Sequence, residues 1–350
     1  VGEHRDQAAS TGVVGLVTRA ETTKGVSGAG AGEAVADASS AVTPGCRTNT
    51  VNSLLCTISD SVGVGARVRA EAGNALARLG DPRIEVVPRT LEDLGAMEFC
   101  YVPPGPFVMG EGETARVNES LTYGCWIGRY PVTVAQFDWF VKEGGYGRAE
   151  FWEDAIRAKC WRDGRLRPRY EDEWAAGPQA VGSPFDLPNH PIVGVSWYEA
   201  LAYGRWLTSR WREHLPEGYA LRLPAGAEWE KTARGGQQLP TPNTVRTLAQ
   251  GLDLTQPAGW QANPKPQRSY PWGDEFDANR TNCAETGIDA TSVSGCFDSG
   301  ASPYGVCDLA GNVWEWCRDA GDELRVLRGG AFNLGPAGYV RCAIRDRINP

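Results

Sequence analysis

Histidine is nearly absent from this 350-residue chain, at three residues (His4, His190 and His214), and methionine is scarcer still, at two. Three dispersed imidazoles cannot assemble a histidine-rich metal centre. None of the ten cysteines stands C-x-x-C from another, and this removes the usual zinc-ribbon and dithiol readings. Long apolar runs are missing too, so no stretch reaches the about twenty residues that a membrane-spanning helix needs. The first residues lack a basic start followed by an apolar block; no secretory signal is read, and a cytoplasmic location is expected. Positive charge is in deficit. With 35 Lys and Arg against 43 Asp and Glu, the net charge of -8 argues against a nucleic-acid partner, and the basic run from Arg162 to Arg169 reads as a solvated loop.

What is abundant is tryptophan. All 13 lie between Trp126 and Trp316, so that part of the chain should have an aromatic core whose indoles need both burial and a hydrogen-bond partner. Most of the cysteines are expected to be buried small hydrophobes in a reducing compartment. An excess of Arg over Lys and many Pro and Gly fit a thermophilic source.

Residues 1 to 95 read as an N-terminal segment, rich in Ala, Gly, Ser and Thr and without clear period up to about Ser61. One helix is expected within it, over Ala66 to Leu79, because Val68, Ala72, Leu76 and Leu79 share a face and Gly80 and Pro82 follow at stop positions. Its ending resembles a single unit of helical-repeat proteins, with no second copy in the chain. A domain of residues 96 to 350 follows. Met97 to Met109 reads as strand, turn and strand, Trp126 to Tyr130 as a further strand, and Thr133 as the cap of a helix carrying Phe137, Phe140 and Val141. Glu150 to Pro188 reads as a long surface excursion, and Leu239 to Pro266 as loop. Between them, Ser196 and Glu199 form a capping box that opens a helix to His214, and a short helix follows Leu223-Pro224 and ends at Gly235-Gly236. Few helices, scattered short strands and many turns make this an α+β fold with much irregular backbone.

The chain converges on Gly305 to Trp316, where Gly311-Asn312 supplies a tight turn between Asp308 and the Trp-Glu-Trp of residues 314 to 316. Oxygen ligands from Asp308, Glu315 and intervening carbonyls could hold a hard cation such as calcium. The alternative is structural: Asp308 caps a turn and Glu315 pairs with an Arg.

Seven motifs occur in order: Pro104–Gly110 (PGPFVMG), Gly128–Thr133 (GRYPVT), His190–Trp197 (HPIVGVSW), Leu223–Gly235 (LPAGAEWEKTARG), Tyr270–Asp274 (YPWGD), the AGNVWEW knot and Leu327–Gly330 (LRGG). Together they resemble the formylglycine-generating-enzyme (sulfatase-modifying factor) domain, a variant of the C-type lectin fold, over roughly residues 97 to 350. The resemblance implies a structural calcium held by a side-chain oxygen of Asp308, the carbonyls of Gly311 and Val313, and the Glu315 carboxylate, with a second site beginning at Asn282. It also implies two reactive cysteines shortly after the Gly-Gly pair, where this chain has Leu334 and Tyr339. Soft thiolates cannot be replaced by Leu and Tyr, so the resemblance predicts a protein that is not an enzyme. The helix after Leu223-Pro224 should also be weakened by about 1 kcal/mol, because Ala225 stands at its cap.

The segment from Leu324 to Pro350 resembles more narrowly the variable region of proteins encoded beside diversity-generating retroelements. By that resemblance Asn333, Leu334, Gly335, Gly338, Tyr339, Ile344, Asp346 and Ile348 are variable, ligand-contacting positions, with Tyr339 as an aromatic anchor and Leu334, Ile344 and Ile348 as exposed apolar contacts. The partner implied is a protein or cell-surface ligand. Two further readings stay open: an oxidase of the formylglycine-generating type that uses other residues, and a structural interaction domain of a larger effector. The resemblance also implies a final Gly-Phe-Arg strand beyond Pro350, so either residues are missing there or the sheet has an open edge.

Overall fold

A computed structural model describes residues 11–12, 17–20, 44–167, 173–253, 256–320, 324–335 and 337–350. The strand over Glu98–Val102 and its neighbour Cys125–Gly128 alternate between two cores. Phe99, Tyr101 and Trp126 face the larger cluster, whereas Cys100, Val102, Cys125 and Ile127 face a second one containing Trp229, Tyr304, Leu309 and Cys342. Period-two alternation across a sheet covered on both sides produces this division. Five strands make the sheet, in the order Val245–Thr247, Glu98–Val102, Cys125–Gly128, Val17–Ala20 and Tyr219–Arg222, every neighbour antiparallel. A second sheet runs Thr11–Gly12, Trp314–Ala320, Arg325–Arg328, Arg345–Ile348, with only the first pair parallel. Arg345–Ile348 is its outer strand, and the three charged residues at the start of that strand are exposed. Charge on an open edge discourages pairing with other chains.

Six helices are described: Pro44–Ser59, Ala66–Leu79, Val134–Lys142, Glu153–Arg157, Trp197–Arg210 and Gly226–Arg234. The expected helix over 66 to 79 is present with these bounds, and Gly80 ends it at φ 94°. The expected cap at Thr133 and the expected capping box at Ser196 both form. Thr133 Oγ1 accepts from Gln136 N at 3.2 Å, and Ser196 N donates to Glu199 Oε2 at 2.6 Å. At the helix Gly226–Arg234 Ala225 contributes no side-chain bond, but Ala225 N donates to Glu228 Oε2 at 2.7 Å and Gly226 N donates to Asp319. Part of the expected cap loss is therefore offset by a carboxylate brought from the neighbouring strand.

Three expectations are corrected. The first part of Glu150 to Pro188 is no surface excursion: Phe151, Trp152, Ala155, Cys160 and Leu166 all enter the larger core, and Trp152 packs within 5.0 Å of Tyr146 and 6.4 Å of Trp161, whereas from 173 to 188 no residue is buried. Each short element there contributes only one or two anchors, too few to make a period. Leu239 to Pro266 contains strands, Gln238–Thr241 paired with Gly259–Ala262, and Val245–Thr247 at the rim of the central sheet. Finally, Pro44–Ser59 is a helix whose Val51, Leu54, Leu55 and Ile58 pack toward Leu76 and Phe297, a spacing of three and four that sequence reading passed over.

The helix Ala66–Leu79 docks on the body through buried polar groups as well as apolar ones. Arg69 is fully buried and donates to Cys296 O at 2.5 Å; Arg83 forms an ion pair with Asp81 at 2.6 Å and also reaches Ser294 O. His190 joins the two parts, with Nδ1 2.9 Å from Thr291 Oγ1 and Nε2 2.8 Å from Asn74 Oδ1. Of the nine described free cysteines, eight are buried and Cys56 is exposed. No helix among the described residues is long and apolar enough to cross a membrane.

Candidate functional site

Gly311 fixes the knot. At φ 80° it lies where L residues are strained, and a Cβ there would stand 2.1 Å from Asn282 O. Gly311 N donates to Gly329 O and Asn312 N donates to Asn282 O at 2.7 Å, so the turn is tied at once to the Gly329-Gly330 pair and to Asn282. Asp308 and Asn312 also have positive φ, and both are buried.

Two carboxylates are enclosed here. Asp308 accepts from Gly295 N at 3.0 Å, and burial pushes its carboxyl up to about 7. Glu315 accepts from the Trp229 indole N–H through Oε2, while Oε1 is buried without a partner; burial, with Asp308 nearby, raises its pKa well above the ordinary range. Burying ionised oxygens without counter-charge is costly. Asn282 donates to Ala290 O, Ser292 Oγ and Asn312 Oδ1, and its own Oδ1 is likewise buried and unpartnered. Val313 O and Glu315 Cγ each lie 3.6 Å from where a Cβ on Gly329 would be. Asp308, Gly311, Val313, Glu315 and Asn282 are thus brought to one buried knot. The orphaned oxygen on Glu315 fits an oxygen-seeking cation, and Asn282, expected to begin a second site, carries an orphaned oxygen of its own. Among the described residues no three His, Cys, Asp or Glu side chains gather into a metal cluster, so such a cation would depend on main-chain oxygens.

Behind the C-terminal segment stands Arg328. Fully buried, it forms an ion pair with Glu230 at 3.0 Å, donates to Ala343 O at 3.2 Å and Ile344 O at 3.3 Å, and reaches Gly226 O at 3.3 Å. Gly330, at φ 77°, sits so close to Val340 and Tyr339 that a Cβ would lie 2.8 Å from the Val340 side chain. Phe332 N donates to Asn312 O, Ala284 N to Leu334 O and Cys342 N to Ser269 O, so the backbone is pinned at residues 332, 334 and 342. On the outside, Asn333, Gly335, Tyr339 and Asp346 are exposed, Tyr339 to 49%. Gly338 is half-buried. Leu334, Ile344 and Ile348 are half-buried against the larger core, which includes Leu327 and Ala331, rather than exposed.

Trp229, Arg328 and Glu230 were not singled out from sequence. The signal for them was the pair of charged residues beside Trp229 in a helix that has to pack on both sheets. Cys342 is fully buried and burial pushes its thiol up to about 12, while Cys283 is raised as well.

Residues 86–350 match the family of the sulfatase-modifying factor enzyme 1-like domain. The chain is similar to a formylglycine-generating enzyme of Thermomonospora curvata, at 30% identity over 67% of this chain and 75% of the relative. It is also similar to an inactive C-alpha-formylglycine-generating enzyme 2 of Mus musculus, at 29% identity over 67% and 74%. A third relative is a serine/threonine-protein kinase, pkn1, of Chlamydia caviae, 28% identical over 72% of this chain; only 36% of the kinase's length is spanned. These relatives thus include an enzyme, an inactive protein and a kinase.

Proposed function

This chain belongs to the sulfatase-modifying factor enzyme 1-like family, and from that premise we propose that it is a non-catalytic binding protein, the variable protein of a diversity-generating retroelement, presenting a changeable surface near its C-terminal end to a protein or cell-surface ligand. One observation carries this: the two positions assigned by resemblance to reactive cysteines hold Leu334, half-buried, and Tyr339, exposed to 49%. Neither side chain can bind a soft metal or become a thiolate. The nearby Cys342 is sealed in the interior with its thiol held protonated.

The frame suits display. Arg328 and the Gly329-Gly330 pair hold the backbone from behind, so outward side chains at Asn333, Tyr339 and Asp346 can change with little effect on folding, whereas a Cβ at Gly335 would stand 3.2 Å from the Ala284 side chain. Tyr339 supplies the aromatic anchor, and Leu334, Ile344 and Ile348 add the exposed edges of half-buried side chains. Asp308, Glu315 and the carbonyls of Gly311 and Val313 would hold calcium, with Asn282 beside them. Such an ion would neutralise two buried carboxylates and stiffen the turn beneath the display segment.

DNA flanking the coding region tests this directly. A near-identical, adenine-bearing copy of the segment for residues 324 to 350 and a reverse transcriptase gene are expected, and finding neither overturns the assignment. Incubation with copper, oxygen and a cysteine-containing sulfatase peptide tests the absence of catalysis, where an aldehyde product detected by mass would overturn it.

A further inference from the structure

Cys125–Gly128 and Tyr219–Arg222 stand on either side of a gap one strand wide and do not pair with each other. All four residues of the first are buried, as are Leu221 and Arg222 of the second. An unfilled gap would take the strand partners from main-chain N–H and C=O groups on both facing edges, Leu221 excepted, whose N–H and C=O both bond Thr208 Oγ1. The backbone that fills it comes from a distant part of the chain. Val17–Ala20 pairs antiparallel along Arg222, Leu221, Ala220 and Tyr219, and on its other side Val17 meets Ile127. The next described element after Ala20 is the helix Pro44–Ser59, which belongs to a different cluster packed around Leu76 and Phe297. This strand is therefore held in the sheet by its own pairing rather than by a hairpin to either neighbour.

We propose that the gap is a strand-acceptor site. It binds an extended segment through main-chain hydrogen bonds on both edges, holds the chain's own Val17–Ala20, and accepts the same segment offered as a separate peptide. Main-chain pairing on two sides makes recognition depend on extended conformation and direction first, and on side chains second.

The full chain carrying Thr18→Pro tests this, since proline removes a donor and resists a central strand position. Its melting temperature is expected to fall by about 5 °C or more. A synthetic peptide of residues 9 to 22 should restore most of that loss in a saturable manner, and the same peptide carrying Thr18→Pro should not. A variant that melts like the parent, or one whose melting the unmodified peptide leaves unchanged, overturns the proposal. Should the variant fail to fold, Arg19→Cys with Ala220→Cys, in a chain with Cys46→Ser and Cys56→Ser, gives an independent reading. These two positions are directly opposed in the register. Oxidised glutathione should take up the two thiol hydrogens and close a disulfide within one chain, seen as a mobility shift that a reductant reverses. Absence of that bond, or bonding only between chains, overturns the proposal.

Discussion

The Trp229 indole N–H donates to one carboxylate oxygen of Glu315, and the other oxygen of the same group is buried with nothing to accept from. A neutral donor on one side does not offset a buried negative charge, and Asp308 adds to the burden. Calcium should therefore stabilise the protein by about 3 kcal/mol when supplied at a hundredfold excess over its Kd. Thermal melts with calcium and with a chelator measure this. Glu315→Gln should erase the difference, and equal melting of the parent protein in both conditions would leave the knot purely structural.

His190 makes stability depend on acid. Buried between Thr291 and Asn74, its imidazole is driven down to about 3 from the ordinary 6.5, so the folded protein keeps it neutral while the unfolded chain protonates it. The unfolded state then binds more protons between these values, and stability present above pH 6.5 is lost as pH falls toward 3. At pH 5 the loss should be about 2 kcal/mol. Because the buried carboxyl of Asp308 acts in the opposite sense over part of that range, the comparison is with His190→Gln, and urea unfolding at pH 7 and pH 5 should show the parent losing more.

Arg328 is where the display segment is fastened. Replacing it by Met removes bonds to Ala343 O and Ile344 O and leaves Glu230 without this partner, at an expected cost of about 3 to 5 kcal/mol. Chemical denaturation gives the number, and a loss below about 1 kcal/mol would mean that the segment is fastened elsewhere.

Display and packing separate by residue. Alanine at Asn333, Tyr339 or Asp346 should change stability by no more than about 0.5 kcal/mol, since these side chains are exposed. Alanine at Leu334, Ile344 or Ile348 should cost more, about 1 to 2 kcal/mol, because half of each side chain lies on the core. Equal costs in the two groups would remove the distinction between a tolerant outside and a fixed inside.

Helices with a cap and a stripe were legible from sequence, as Thr133, Ser196 and Gly80 illustrate. Strands of alternating large residues, such as Glu98–Val102, were legible for the same reason. Lost from view were elements too short to repeat: Phe151 and Trp152 come from one turn, and Leu166 from a two-residue strand. The knot was located by its Gly-Asn turn and its acids, yet the partners that set its chemistry, Trp229 and Gly295, lie 86 and 13 residues away along the chain and carry no local mark. Half-burial of Leu334, Ile344 and Ile348 was equally invisible, because alternation reports which residues share a side and not how far a loop folds back.

The family match begins at residue 86, but the helix Ala66–Leu79 covers Val293, Cys296 and Phe297, and Asn74 satisfies His190. Anyone trimming the protein to the recognised homology unit would uncover a greasy patch and strand an imidazole, and should expect aggregation in the flask. The workable starting point lies upstream of that helix and of the strands Thr11–Gly12 and Val17–Ala20.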